Sequence, residues 1–127
     1  MMIAKTKVLI LDDERIVGER LKASLERVGF SVDAFFASRD ALKKIEQEHY
    51  DILVTDLKMK DPDGLEVLRT AKKKRPNIKA VVITGFATDQ MAEEAFSAGA
   101  VNFIAKPFKI SQLIKLLTTL ASPHSSD

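Results

Sequence analysis

The chain contains no cysteine, which excludes disulfide bonds and thiolate metal sites and fits a reducing compartment. It also lacks any apolar run of roughly 18 residues, the length that a membrane-spanning helix needs. The first residues, MMIAKTK, do not contain the apolar stretch of a secretory signal. The two histidines, His49 and His124, have no spacing that suits a metal pair or a catalytic dyad. We therefore expect a cytoplasmic protein whose histidines are surface residues.

What the chain does contain is the composition of an ordinary globular domain. Of its 127 residues, 46% are hydrophobic and 30% are charged, and the formal net charge is +2. These values suit a single domain, which we place at residues 1–121, with a polar tail at 122–127 as the possible start of a linker. The clearest basic run, Lys72-Lys73-Lys74-Arg75, is typical of a solvated helix end. Aromatic residues do not interleave with it, so we expect no direct binding of nucleic acid.

Short apolar runs alternate with helical patterns along the chain. The runs lie at 8–11, 32–35, 52–54, 80–83 and 101–104. They are rich in β-branched residues, as buried parallel strands are. The stretches between them place apolar residues on one helical face. The alternation predicts an α/β fold, (βα)₅, with a flavodoxin-like doubly wound parallel sheet in the strand order 2-1-3-4-5.

Helix-capping residues predict several boundaries between these elements. Asp63, followed three residues later by Glu66, predicts the start of the third helix. Thr88 or Asp89 predicts the start of the fourth helix. Gly29 directly follows the first helical pattern, where a glycine commonly ends a helix.

The polar residues that directly follow the strands supply carboxylates, hydroxyls and an ammonium group. They are Asp12, Asp13 and Glu14 after the first run, Thr55 and Asp56 after the third, Thr84 after the fourth, and Lys106 with Pro107 after the fifth. Ligands bind at the carboxyl ends of the strands in a doubly wound sheet. We therefore expect these side chains to lie together at one edge of the sheet.

The expected cluster of carboxylates needs a positive partner. Two carboxylates about 4 Å apart repel each other by roughly 4 kcal/mol at an effective dielectric constant of about 20. Such a group protonates, pairs with a cation or binds a metal ion, and oxygen ligands in a shallow site favour Mg²⁺. With Lys106 as a second cation and Thr84 as a hydroxyl donor, a carboxylate nucleophile there would complete a phosphoryl-transfer site.

This arrangement resembles the signature of response-regulator receiver domains of bacterial two-component systems. The residues that carry the resemblance are Asp12-Asp13, Asp56, Thr84 and Lys106-Pro107. The segment 56–64 resembles the phosphorylation loop of that family, and the likeness extends from residue 7 to about residue 121. One departure is that Lys60 follows Met59 where the family often has proline, which here comes later as Pro62. The departure concerns the conformation of the loop rather than the metal site.

The resemblance implies the residues of a metal and phosphorylation site. Asp56 would be the phosphoacceptor. Asp13, Asp56 and the backbone carbonyl of Lys58 would ligate Mg²⁺, and Asp12 would act through a metal-bound water. Lys58 and Phe86 occupy two positions that vary in the family and tune the lifetime of the phosphoryl group. A cation and a bulky ring there would hinder the attacking water, so we predict a long-lived phosphoaspartate.

The resemblance also implies residues that respond to phosphorylation. Thr84 would bond a phosphoryl oxygen. Lys106 would pair with Asp56 before phosphorylation and with the phosphoryl group afterwards. Phe103 occupies the place of the switch aromatic, which the family couples to movement of Thr84, although ordinary core packing is an alternative for this residue. The peptide bond between Lys106 and Pro107 would be cis.

The function implied is that of a signalling domain rather than an enzyme acting on external substrates. Only self-phosphotransfer and autodephosphorylation are expected, with a sensor histidine kinase or a phosphotransfer protein as the donor. Phosphorylation would change the face formed by the fourth helix, the fifth strand and the fifth helix. That face would then signal to a partner protein or an attached effector domain, and a homodimer through it would also fit. No membrane contact is expected.

Other functions are consistent with parts of the sequence. A receiver-shaped interaction module could signal without phosphorylation. A Mg²⁺-dependent aspartyl phosphatase would need a second aspartate at position 58, which is Lys58. A nucleotide-binding module would need a glycine-rich phosphate loop after the first strand, where Asp12 and Asp13 would instead repel a pyrophosphate.

Overall fold

A computed structural model of the chain describes residues 5–121. Its elements are β1 (Lys7–Leu11), α1 (Arg15–Arg27), β2 (Ser31–Phe35), α2 (Ser38–Gln47), β3 (Ile52–Asp56), α3 (Gly64–Lys74), β4 (Lys79–Thr84), α4 (Asp89–Ser97), β5 (Ala100–Ala105) and α5 (Ile110–Ala121). The strands are parallel and lie in one sheet in the order β2-β1-β3-β4-β5. The predicted fold and strand order are confirmed. The expected polar tail, 122–127, and His124 within it lie outside the described residues.

The sheet is covered on both faces, and its strands alternate their side chains between two apolar layers. Leu9 and Leu53 pack with residues of α2, α3 and α4, whereas Val8 and Val54 pack with residues of α1 and α5. The central strand β3 is buried along its whole length. Burial on both faces explains why the strand sequences are nearly continuous apolar runs. Within residues 5–121, no helix combines the length and the apolar composition needed to span a membrane.

The predicted capping residues begin α3 and α4. The carboxylate of Asp63 accepts a hydrogen bond from the backbone N–H of Glu66 at 3.0 Å. Thr88, rather than Asp89, caps α4, since its hydroxyl accepts a hydrogen bond from the N–H of Met91 at 3.1 Å. Each bond satisfies a backbone donor that the first helical turn leaves unpaired. Both helices therefore start at the ends of the loops that leave β3 and β4.

The basic run at the end of α3 forms specific contacts with neighbouring segments, which the expectation of a solvated helix end did not include. Lys72 Nζ donates to two carbonyl oxygens in the connection to β4, each at 2.9 Å. Arg75 donates to two carbonyl oxygens in the last turn of α2, at 3.0 and 3.3 Å. Lys74 pairs with Glu46 of α2 at 2.5 Å. These contacts join the end of α3 to both of its neighbours.

β5 forms one edge of the sheet, and its pairing with β4 is irregular. The register shifts between Ala80 and Val81, so that Val101 is an extra residue in β5. The side-chain oxygen of Asn102 accepts a hydrogen bond from the backbone N–H of Phe103 at 2.8 Å. A bulge of this kind interrupts the hydrogen-bond ladder and increases the local twist of the strand.

Candidate acidic site at the carboxyl edge of the sheet

The candidate site lies at the carboxyl ends of β1, β3, β4 and β5. Asp56 and Thr84 are the last residues of β3 and β4, Asp12 and Asp13 directly follow β1, and Lys106 directly follows β5. β1 and β3 are neighbours, but the helices that follow them, α1 and α3, pack on opposite faces of the sheet. The two loops therefore diverge and leave a crevice between them. The structure brings the residues of four separate segments to this crevice.

Carboxylate oxygens of three residues meet in the crevice. One oxygen from each of Asp12, Asp13 and Asp56 lies within 4.8 Å of the other two. Asp12 and Asp56 are buried whereas Asp13 is exposed, so the cluster opens to solvent on one side. Burial raises the pKa of Asp12, and hydrogen bonds from Lys106 and from the backbone of Glu14 offset this only in part. Oxygen atoms at this spacing match the ligand set of a hard divalent cation.

Lys106 pairs with three carboxylates at once. Its Nζ lies 2.9 Å from Asp12 Oδ2, 3.0 Å from Asp56 Oδ2 and 3.2 Å from Glu14 Oε1. Burial alone would lower the pKa of Lys106, but the hydrogen bonds to Asp12 and Asp56 outweigh it and raise the pKa above its usual value. The ammonium therefore stays charged and neutralises part of the acidic cluster. The peptide bond between Lys106 and Pro107 is cis.

The loop from β3 to α3 packs closely against the end of β3. The backbone N–H of Lys58 donates to Asp56 Oδ1 at 3.0 Å. Gly64 begins α3 so close to this segment that a Cβ on it would lie 2.5 Å from the carbonyl oxygen of Asp56 and closer still to the Cα of Leu57. Only a residue without a side chain permits this approach. Gly64 therefore helps to place the backbone that carries Asp56.

The middle of the same loop holds the departure from the family pattern. Met59 is buried and Lys60 is exposed. The peptide bond between Asp61 and Pro62 is cis, and Asp61 has a φ of 51°. Arg39 Nε donates to the carbonyl oxygen of Asp61 at 3.3 Å, so α2 contacts the loop at this point.

Thr84 and Phe103 lie on neighbouring strands. Thr84 is buried, and its hydroxyl accepts a hydrogen bond from the backbone N–H of Phe86 at 3.1 Å. Phe103 pairs in register with Val82 of β4. Thr84 pairs with Ala105, which lies two residues after Phe103 in β5. Its ring is partly buried against the apolar layer of α2, α3 and α4. The structure thus places Phe103 near Thr84 and gives it a packing role.

Lys58 and Phe86 meet across the mouth of the crevice. Lys58 Nζ lies 4.5 Å from the centre of the Phe86 ring, within the range of a cation–π interaction, and Phe86 is 58% exposed. Both residues line a pocket of about 290 Å³. The other residues that line it are Asp13, Glu14, Asp56, Gly85 and Lys106.

Three side-chain contacts of this site were missed by reasoning from the sequence. They are the bonds from Lys106 to Asp12 and to Glu14 and the contact of Lys58 with Phe86. The available signal was that each residue stands within a few positions of a strand end. That position indicates which edge of the sheet a residue occupies, but it does not show which flexible side chains touch.

Comparisons with known proteins agree with this fold. A model of the family described as the response regulator receiver domain matches residues 8–118. The transcriptional regulatory protein FixJ of Rhizobium meliloti (strain 1021) is 39% identical over 117 residues, 92% of this chain and 57% of FixJ. The C4-dicarboxylate transport transcriptional regulatory protein DctD of the same strain is 32% identical over 114 residues, 90% of this chain and 25% of DctD.

A solved structure shows the same similarity in three dimensions. It is a response regulator receiver domain protein (CheY-like) from Methanospirillum hungatei JF-1, with a TM-score of 0.87 and 31% sequence identity, covering 92% of this chain and 94% of that chain. The chain spans only about a quarter of DctD and a little over half of FixJ, at 25% and 57%. The family match nevertheless covers nearly the whole described fold. The chain belongs to the response regulator receiver domain family.

Proposed function

We propose that this receiver domain works in the cytoplasm and accepts a phosphoryl group on Asp56 from a histidine kinase or a phosphotransfer protein. The surroundings of Asp56 support the proposal best. One of its carboxylate oxygens faces Lys106 Nζ and the other faces the N–H of Lys58, each at 3.0 Å. Asp12 and Asp13 lie beside it. A carboxylate nucleophile, a nearby cation and a set of metal ligands are the parts that a phosphoryl transfer requires.

The carboxylate cluster fits Mg²⁺ in its chemistry. The side chains of Asp13 and Asp56 and the backbone carbonyl of Lys58 would hold the ion, and Asp12 would contribute through a bound water. Magnesium prefers oxygen ligands and keeps several waters, which suits three clustered carboxylates of which one is exposed. The ion, when bound, neutralises charge on the phosphoryl oxygens. Lys106 supplies a second positive charge from within the protein.

The proposed reaction transfers the phosphoryl group between two side chains. A carboxylate oxygen of Asp56 forms a bond to phosphorus as the phosphorus–nitrogen bond of a phosphohistidine donor breaks. The electron pair of the broken bond returns to the imidazole of the donor. The hydroxyl of Thr84 accepts from the N–H of Phe86 and, because a hydroxyl also donates, it retains its hydrogen for a phosphoryl oxygen. Later hydrolysis returns Asp56 to a free carboxylate.

The contact between Lys58 and Phe86 supports a long lifetime for the phosphoaspartate. The ammonium and the ring line the same pocket of about 290 Å³ as Asp56. A water molecule has to enter this pocket before it can attack the phosphorus atom. The two side chains narrow its approach, so we expect slow autodephosphorylation.

The proposed output surface is the face of α4, β5 and α5. Phe96 and Val101 are exposed on α4 and β5. Thr84 would move toward the phosphoryl group and Phe103 would follow, forming the two-state element that such a switch needs. FixJ and DctD are named transcriptional regulatory proteins, so an attached effector domain is the proposed recipient of the signal. A separate partner protein or a second copy of the chain could use the same face.

Phosphorylation by acetyl phosphate tests the proposal. Wild type, Asp56→Asn and Asp40→Asn are incubated with this donor, with and without Mg²⁺, and intact mass reports the phosphoryl adduct. Asp40 is an exposed carboxylate of α2 and provides a matched control. We expect a Mg²⁺-dependent adduct on wild type and on Asp40→Asn, and none on Asp56→Asn. A folded wild type that forms no adduct would instead be a module that signals without phosphate.

A further inference from the structure

Glu14 reaches back over the crevice although it is not one of the three clustered carboxylates. It occupies the N-cap position of α1, and its backbone N–H donates to Asp12 Oδ1 at 2.9 Å. Its side chain turns toward Lys106, with Oε1 3.2 Å from Nζ. The Glu14 side chain is 63% exposed, whereas those of Asp12 and Asp56 are 0% and 7% exposed. Glu14 is therefore the one solvent-facing partner of Lys106 among the described residues.

The ammonium of Lys106 has no donor to spare. A lysine ammonium carries three N–H donors, and Lys106 has three carboxylate partners at 2.9 to 3.2 Å. A phosphoryl group on Asp56 brings additional acceptor oxygens to the same ammonium. One of the present partners has to leave before Lys106 can donate to them.

Glu14 is the partner that can leave at least cost. Asp12 is fully buried, and a buried carboxylate that loses its cation is strongly penalised. Asp56 itself carries the phosphoryl group. Glu14 can rotate into water, where its charge is solvated, because its side chain is 63% exposed.

We propose that Glu14 is a displaceable partner of Lys106, which holds the ammonium before phosphorylation and gives up its place to the phosphoryl group. This inference rests on the proposed function and assigns Glu14 as a positioning residue. The cost of displacing Glu14, together with the repulsion between its charge and an incoming anion, weakens the binding of phosphoryl-like anions. Removing the charge of Glu14 therefore strengthens anion binding without adding any new contact.

A titration with beryllofluoride, a tetrahedral mimic of the phosphoryl group, tests this role. Wild type, Glu14→Gln and Glu19→Gln are titrated in Mg²⁺ buffer, and Kd is measured for the anion. Glu19 is an exposed glutamate of α1, so Glu19→Gln removes the same charge away from the pocket. We expect Glu14→Gln to lower Kd by about two- to fivefold, the range that an exposed ion pair corresponds to, with Glu19→Gln unchanged.

A second titration, with Mg²⁺ alone, separates this role from a role in metal binding. We expect the affinity for Mg²⁺ to be the same in Glu14→Gln and Glu19→Gln. Weaker or unchanged anion binding in Glu14→Gln would overturn the inference, as would an equal gain in Glu19→Gln or a loss of Mg²⁺ affinity specific to Glu14→Gln. A wild type that binds beryllofluoride and forms an adduct on Asp56 keeps the proposed function intact in all of these cases. A folded wild type that neither binds beryllofluoride nor forms an adduct on Asp56 overturns both the proposed function and the role of Glu14.

Discussion

Lys58 and Phe86 form a bridge across the pocket that holds Asp56, with the Lys58 ammonium 4.5 Å from the centre of the Phe86 ring. The two residues come from different loops, after β3 and after β4. Neither supplies a side-chain carboxylate to the acidic cluster. Either side chain can therefore be shortened while the carboxylates that surround Asp56 are kept.

Replacement of Phe86 by alanine is expected to shorten the lifetime of the phosphoaspartate. Loss of the ring opens the pocket to water and frees the Lys58 side chain. We expect loss of the phosphoryl label to become about two- to fivefold faster, the rate effect that corresponds to an exposed cation–π contact. A chase of radiolabelled protein in Mg²⁺ buffer measures this rate. Lys60→Ala, at an exposed position in the loop that carries Lys58, is the control, and equal lifetimes in wild type and Phe86→Ala would rule out shielding.

Gly64→Ala is expected to destabilise the domain and disturb the site together. The new Cβ would lie 2.5 Å from the carbonyl oxygen of Asp56, so the loop or the start of α3 has to shift. Overpacking of this kind lowers the free energy of unfolding by about 1–3 kcal/mol. Urea denaturation measures the loss, and adduct formation with acetyl phosphate should fall as well. Gly85→Ala is the matched control, since a Cβ there meets nothing within 4 Å; equal stability of the two variants would contradict the prediction.

Arg75→Ala is expected to loosen the end of α3 from the end of α2. The side chain donates two hydrogen bonds to carbonyl oxygens of α2, at 3.0 and 3.3 Å. Their loss should lower the free energy of unfolding by about 1–2 kcal/mol. Phosphorylation of Asp56 should be retained, because Arg75 caps the end of α3 opposite to Gly64, which packs against Asp56. Urea denaturation of Arg75→Ala and Lys73→Ala tests this, since Lys73 is the exposed neighbour in the same basic run. A comparable loss in Lys73→Ala would point to general charge effects instead.

Glu48 is expected to contribute to stability in a pH-dependent way. Hydrogen bonds from Lys44 and Lys7 lower the pKa of its carboxyl from 4.5 to about 2. A lowered pKa means that the contribution is present above about pH 4.5 and is lost as the pH falls toward about 2. The difference in stability between wild type and Glu48→Gln should therefore shrink across this range. Thermal unfolding at several pH values measures it, with the exposed Glu93→Gln as control; a difference that stays constant with pH would contradict the assignment.

The gathering of the site residues could be predicted from the sequence because it depends only on where strands end. Parallel strands deliver their carboxyl ends to one edge of a sheet, so Asp12, Asp56, Thr84 and Lys106 needed no further information to be placed together. The caps at Asp63 and Thr88 were equally accessible, since a helix start depends on residues close in sequence.

The contacts of long side chains and the paths of loops could not be predicted in the same way. Glu14 and Lys106 are separated by 92 positions, and each side chain has several rotamers of similar energy. Arg75 donates to backbone carbonyl oxygens. Every residue has such an oxygen, so the sequence does not indicate which ones Arg75 will contact. The close approach of Gly64 to Asp56 depends on the course of the intervening loop. The spacing of apolar residues indicates whether a segment forms a helix or a strand, but it gives no distance between one side chain and another.

The bulge at Val101 also affects how molecules of this protein meet at high concentration. An exposed edge strand with regular spacing is a template on which a neighbouring chain can add a strand, and repeated addition builds insoluble sheets. At the β5 edge the extra residue breaks the spacing, and the Asn102 side chain occupies the N–H of Phe103. A second molecule approaching this edge meets a twisted strand with one donor already taken. The irregularity therefore disfavours strand addition at this edge, and with it the growth of an extended intermolecular sheet.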